Sequence, residues 1–259
     1  MDFDLSNVAV PFRMQPGLRK LTAGEPQLTR LDPQSQLHAE KRLVQHAGHC
    51  VHAIDGFDPS PALEAIRAEL AFDGPLELAF EEDFAILEGA TGTLPWLCVC
   101  VPSHWAPEEK VGLDFMALHA PVADNAALLA ASRQLVTLVT AGERWERFVW
   151  TLTPSPRYDQ HPHRHPRPGW PQTPDHGEFA HHCFVRAERQ TFLPVGRGTR
   201  QAVFTIRVML TPLTTAVDTP GKARRLHDSL ASMSAAVLAY KGLTPAREPL
   251  MHWLAQRAG

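Results

Sequence analysis

Apolar and polar positions recur along this chain with two periods, and each period marks a different kind of element. Helical spacing comes first: Asp32 followed by Pro33 reads as a cap and first turn, with Leu37 and Val44 on the inner stripe. A second helix begins at Ser60-Pro61, with Leu63, Ile66 and Leu70 on one side. Leu76, Leu78 and Phe80 then alternate with polar or small residues, which predicts a strand, and residues 96–101 are apolar on both faces, as in a central strand. Residues 125–141 predict a helix closed by Gly142, carrying Leu128, Leu135 and Val139 inward. Alternation returns three times, at Phe148, Trp150 and Leu152, at Val185, Ala187 and Arg189, and at Phe204, Ile206, Val208 and Leu210. A long helix over residues 222–241 ends the pattern, its stripe made of Leu226, Leu230, Met233, Val237 and Tyr240 and its stop signal Gly242. The fold class this predicts is α+β, a mostly antiparallel sheet with flanking helices.

One segment obeys neither period. Residues 154–182 hold seven prolines and six histidines, a composition that supports neither a regular helix nor a strand ladder. A long, mobile or lid-like loop is the expectation. His161, His163 and His165 alternate there, but the prolines between them hold the chain extended, and no cysteine or carboxylate pattern completes a tetrahedral shell. With no internal repeat and no shift in composition, residues 1–259 read as a single domain.

Composition narrows the function classes. The 259 residues are 44% hydrophobic, enough for a substantial core, and carry a net charge of −3 with both signs interspersed, which gives no footprint for nucleic acid or an anionic membrane. The N-terminus carries acids where a signal peptide needs positive charge, and no apolar run approaches about 18 residues, so a cytoplasmic location is expected. Cys50, Cys98, Cys100 and Cys183 follow no zinc-ribbon or ferredoxin spacing and read as thiols used as small hydrophobes, Cys98 and Cys100 sharing one strand face. There is no Gly-x-Gly-x-x-Gly after a strand, no phosphate loop and no iron–sulfur cysteine set, so any redox chemistry needs electrons from elsewhere.

Two places carry candidate chemistry. His119 stands among Met116, Leu118, Pro121 and Val122, between an apolar segment and a proline turn, and a buried imidazole of fixed orientation suits an axial ligand as well as a satisfied core histidine. The strand around Arg186-Ala-Glu188-Arg189-Gln190 puts Arg186, Glu188 and Gln190 on one face and Arg189 on the other; so many polar groups are costly to bury unless they pair or face a polar cavity.

Eight segments in order, PFRMQPGLRKL at 11–21, LDPQSQLHAEKRLV at 31–44, EEDFAIL at 81–87, VPSHWAPEEKVG at 101–112, ALHAPV at 117–122, RFVW at 147–150, VRAERQTF at 185–192 and VFTIRV at 203–208, make the chain similar to the haem-dependent oxidative N-demethylase family. The resemblance implies a PAS-like sheet forming one haem-binding domain, haem b as cofactor, dioxygen as co-substrate, and electrons from a separate reductase that draws on NAD(P)H. It also implies removal of a methyl group from a small amine as formaldehyde. Under it His119 is the iron ligand, with His104 the second choice, and Glu188 holds a protonated amine. Arg186, Arg189 and Arg207 serve the propionates or the oxidant, and Trp150 lines the pocket with a cation–π contribution of about 0.5–2 kcal/mol. Lys41, Arg42 and Lys110 fall in matching segments and are candidates for the reductase-docking surface. Two departures stand out: Val149 replaces an asparagine usual in relatives, and Phe192-Leu-Pro-Val-Gly-Arg-Gly198 replaces a Leu-Pro-Arg-Ser turn. Three classes thus remain: a haem monooxygenase, a haem-binding PAS-like sensor without turnover, and a haem-free protein whose histidine-rich loop handles a transition metal.

Overall fold

The computed structural model describes residues 3–22, 24–196 and 198–259, and within them seven strands make one sheet. The strands are β1 (Arg19–Lys20), β2 (Val51–Ala53), β3 (Glu82–Glu88), β4 (Trp96–Cys98), β5 (Trp145–Thr153), β6 (Phe184–Pro194) and β7 (Gln201–Pro212). Their spatial order is β1-β5-β6-β7-β3-β4-β2, and every neighbouring pair is antiparallel. The helices are α1 (Gln36–His46), α2 (Ser60–Glu69), α3 (Leu76–Ala79), α4 (Phe115–His119), α5 (Ala126–Ala130), α6 (Ser132–Val139), α7 (His176–His181), α8 (Leu213–Ala216), α9 (Pro220–Ala231), α10 (Ala235–Lys241) and α11 (Arg247–Ala258). The α+β, antiparallel class is as expected, and among the described residues no helix is long and apolar enough to cross a membrane.

Five local expectations change. Residues 154–182 are not loop throughout: α7 occupies 176–181, capped by Asp175, which accepts from the Gly177 and Glu178 N–H groups. Leu76 to Phe80 forms the single turn α3 and not a strand; Leu76 and Phe80 are both buried, and a spacing of four satisfies either period. Residues 96–101 do not form the sheet centre: β4 is next to the edge strand β2, although covered on both faces. The helix expected over 125–141 is two helices broken at Ala131, which turns the buried stripe onto Leu128, Val136 and Val139. The helix expected over 222–241 breaks at Ser232–Ser234, where serine side chains bond the backbone: Ser232 Oγ donates to the Ser229 carbonyl, and Ser234 accepts from the Val237 N–H. Gly242 closes α10 in the left-handed conformation, as predicted.

Alternation gives the sheet two unlike faces. Trp150 and Leu152 of β5, Val185 and Ala187 of β6 and Met209 of β7 point to one side and share a core with Phe179, Leu226, Leu230, Leu250, Trp253 and Leu254 from α7, α9 and α11. Farther along the same side, Leu193, Val203, Phe84 and Ile86 pack on Ala62 and Ile66 of α2. Each such side chain contributes about 1.5–3 kcal/mol by leaving water. A polar belt divides these two cores: Arg189 and Arg19 both pair with Glu146, at 2.7 and 2.6 Å, and Arg207 pairs with Glu81 at 2.6 Å.

The opposite face is less covered. Trp145, Arg147, Val149 and Thr151 of β5, Phe192 of β6 and Phe204 of β7 are only half-buried although their strands lie inside the sheet. Half-exposed apolar groups there mean that solvent or a ligand reaches the sheet. At the rim, Lys41 is fully buried, its Nζ 3.0 Å from Asp83 and donating to the carbonyls of Phe80 and Glu82. Lys41 therefore cannot belong to a docking surface, whereas Arg42 is exposed and Lys110 half-exposed. All four cysteines are buried free thiols, and Cys50 and Cys98 both bond the Glu77 carboxylate.

Candidate active site on the open face of the sheet

A hydrogen-bond chain crosses the open face. Arg186 donates from Nε to Ser103 Oγ (2.8 Å), and the Ser103 hydroxyl donates to Glu188. From the other side Gln190 Nε2 donates to Glu188 (2.6 Å), and Arg147 Nε donates to Gln190 Oε1 (2.6 Å). The register explains the grouping, because Arg147 lies opposite Gln190, Val149 opposite Glu188 and Thr151 opposite Arg186. Arg186 also donates from its two terminal nitrogens to the carbonyls of Val101 and Arg157, so all three nitrogens of this buried guanidinium hold the protein around the site. Burial lowers the Arg186 pKa to about 10, and burial also lowers that of Arg147.

The Pro/His-rich segment forms one wall and is tied down by bonds. The Gln160 backbone bonds on both sides of Ser103, its N–H donating to the Pro102 carbonyl and its carbonyl accepting from the His104 N–H, both at 3.1 Å. Arg164 pairs with Asp159 and donates to the Cys100 carbonyl, and Trp170 Nε1 donates to the Gly242 carbonyl. His161 bonds Glu108 at 3.1 Å and His163 bonds Glu109 at 3.3 Å; among the described residues no group of three or more histidines, cysteines or carboxylates is placed to hold a metal ion.

His119 ends α4, which Asp114 caps by accepting from the Ala117 N–H, and Asn125 holds the His119 carbonyl. The imidazole stacks on Phe115 with centroids 4.1 Å apart, and its Nδ1 is 2.8 Å from the Phe115 carbonyl. A carbonyl only accepts, so the proton is on Nδ1 and Nε2 keeps its lone pair. Burial, with the nearby Arg147 charge, holds the His119 pKa below its ordinary value. A neutral ring oriented by its second nitrogen is the state a metal ligand requires. His104, with a left-handed backbone (φ 60°), is pushed down to about 4, first by burial and then by Arg167 and Arg186. Because its folded pKa lies below the unfolded one, the stability it supports is present above about pH 6.5 and is lost as pH falls toward 4. His104→Asn, which tolerates the same backbone, should therefore lose less stability than the parent between pH 7 and pH 5 in urea titrations; equal losses would remove His104 from the account.

Of the residues expected to act together, Arg186 and Glu188 share the open face, and His119 is near enough to Arg147 for that charge to act on its ring. Arg189, Arg207 and Trp150 are on the covered face: both arginines are engaged in the ion-paired belt, and Trp150 is 6% exposed in the core. The sequence reading missed Arg147 and Ser103 as members of this chain of hydrogen bonds, although both lie in matching segments.

The open face of this antiparallel sheet thus carries a carboxylate held by two side-chain hydrogen bonds, with the buried Arg186 on one side of it and the half-buried Arg147 on the other. The family model described as haem-dependent oxidative N-demethylase, alpha subunit-like, matches residues 71–251, and the chain belongs to this family. That stretch includes every residue of the open-face site named above.

Proposed function

We propose that this chain is a haem-dependent oxygenase that demethylates small amines, working as one PAS-like, haem-binding domain with a separate reductase. The residues fit the cofactor: His119 Nε2 would ligate the iron, Phe192, Phe204 and Val149 offer the half-exposed apolar surface a macrocycle covers, and the cations suit carboxylate groups. Bound haem would supply the iron at which dioxygen is reduced. The balanced reaction converts one N-methylamine, one dioxygen, two electrons and two protons into the amine with N–H in place of N-methyl, one formaldehyde and one water. The electrons come from NAD(P)H through the reductase, since this chain has no nucleotide or cluster motif of its own.

Glu188 is the observation that carries the reading. Its carboxylate is held by Ser103 and Gln190 on the same face as Arg147, whose charge acts on His119, so an ammonium bound at Glu188 is on the side of the sheet that holds the proposed ligand. The neighbouring strand faces it with the apolar Val149, which restricts the water that competes for the ammonium.

The test is a protein expressed with added haem, examined for a Soret band and, with a surrogate reductant, for amine-dependent formaldehyde. Both are expected. A Soret band without turnover would replace the oxygenase reading by that of a sensor, and absence of haem would overturn both. Glu188→Gln should keep the Soret band and lower kcat/KM for amines on the order of 100-fold, the equivalent of about 2–3 kcal/mol; an unchanged kcat/KM would remove Glu188 from amine recognition.

A further inference from the structure

The oxygenase chemistry uses none of the four cysteines, yet two of them share a partner at the edge of the sheet. Cys50 Sγ is 3.6 Å from Glu77 Oε1 and Cys98 Sγ is 3.9 Å from Glu77 Oε2, so both thiols turn toward one carboxylate. Their backbones are neighbours as well. Val51 is opposite Cys98 in the ladder of β2 and β4, and the Val99 N–H donates to the Cys50 carbonyl at 2.7 Å, which puts Cys50 one step from Cys98 across the strands. Residues so related have Cα atoms about 6 Å apart, within the roughly 4.4–6.8 Å that a disulfide spans without moving the backbone.

The two thiols also differ from the remaining one in the other core. Cys183 donates to the Phe179 carbonyl at 3.2 Å, and burial pushes its pKa up to about 12. Cys50 is 5% exposed, and its chain neighbours His49 and Val51 are both exposed, so the surface is one residue away in either direction. Hydrogen bonds with the Cys100 and Cys98 thiols hold the Cys50 pKa below the ordinary thiol value, whereas Cys98 is raised, first by its bond to Cys50 and then by burial. Burial raises the pKa of Glu77, which makes its carboxylate a ready proton acceptor.

We infer that Cys50 and Cys98 form a redox site in which hydrogen peroxide closes a reversible disulfide. Cys50 gives its proton to Glu77, and its sulfur attacks one peroxide oxygen. The O–O bond breaks, Cys50 becomes a sulfenic acid, and the leaving hydroxide takes the proton from Glu77 to depart as water. The Cys98 sulfur then displaces the sulfenic hydroxyl, which leaves with the Cys98 proton as a second water. Two thiols and one peroxide become one disulfide and two waters, and the peroxide accepts the two electrons that the sulfurs lose. The bond joins the turn before β2 to β4, a few residues ahead of Ser103 in the open-face site. The inference does not depend on the oxygenase reading.

The experiment treats the purified protein with a small molar excess of hydrogen peroxide, alkylates the remaining thiols in denaturant and maps the products by mass spectrometry. Two of the four thiols should disappear together, leaving a mass lower by two hydrogens and a linked peptide that contains Cys50 and Cys98. Dithiothreitol should restore both. The pair is expected to react at least roughly tenfold faster than Cys183, since the thiolate is the reacting form. In Cys98→Ser, Cys50 should stop at the sulfenic acid and be trapped by dimedone, and Glu77→Gln should slow disulfide closure roughly tenfold by removing the proton acceptor. The map of the unsubstituted protein decides by itself if a variant fails to fold. Equal, slow loss of all four thiols, or Cys50 sulfinic acid without a linked peptide, would overturn the inference. A Cys50–Cys100 link would overturn it too, because the partner would then be a thiol that Glu77 does not hold.

Discussion

His119→Ala is expected to abolish the Soret band of protein expressed with added haem, lowering haem affinity by more than roughly 100-fold, since even loss of a group that only orients a metal ligand costs about 10–100-fold. The fold should survive, because the side chain is half-exposed at the end of a five-residue helix and contributes one stack on Phe115 and one bond to its own turn. Far-ultraviolet circular dichroism checks that point. Exogenous imidazole should restore part of the band by filling the space the side chain leaves. A band that is unchanged in His119→Ala would exclude His119 as the ligand and direct attention to His104, another histidine whose pKa burial lowers, to about 4.

Lys41→Met is expected to destabilise the protein by about 3–5 kcal/mol, the usual cost of removing one partner of a buried ion pair. Methionine roughly matches the length of lysine but leaves Asp83 without its 3.0 Å partner and two carbonyls, of Phe80 and Glu82, without a donor. Burial by itself would push the Lys41 pKa down, yet Asp83 attracts the ammonium strongly enough to raise it, so the pair is ionised in the folded state. In a protein of this size the loss corresponds to a fall in Tm of roughly 10 °C. The double variant Lys41→Met, Asp83→Leu should recover much of it, because two apolar groups demand no partner. A single variant within about 1 kcal/mol of the parent in urea denaturation would show that the pair has no structural weight.

These two residues were legible in the sequence to unequal degrees. His119 stood out from its apolar neighbours and its matching motif, and so did the grouping of Arg186, Glu188 and Gln190, because side chains two apart on a strand share a face whatever surrounds them. Lys41 did not: on α1 it reads as one polar position among several, and only the packing of that helix against β3 removes it from water.

Sequence alone specified the α+β class, the long strands β5, β6 and β7, and the family. Alternation and helical spacing are properties of neighbouring residues on one backbone, so they survive without knowledge of the fold. Where one spacing fits two periods, as with Leu76 and Phe80, or where serines offer the backbone other partners, as at Ser232 and Ser234, the local signal is ambiguous and tertiary contacts settle it. Packing in three dimensions also selected which face of the sheet carries the chain of polar side chains. Arg189 and Glu188 are adjacent in sequence and equally polar, yet Glu146 and Pro26 occupy the first on the covered face while the second meets Ser103 on the open one. The hydrogen-bonded chain from Arg147 through Gln190 and Glu188 to Ser103 joins two strands to a loop that precedes Glu188 by 85 residues. That convergence depends on chain crossings that no local period encodes, because hydrogen-bond partners are set by distance in space and not by distance along the chain.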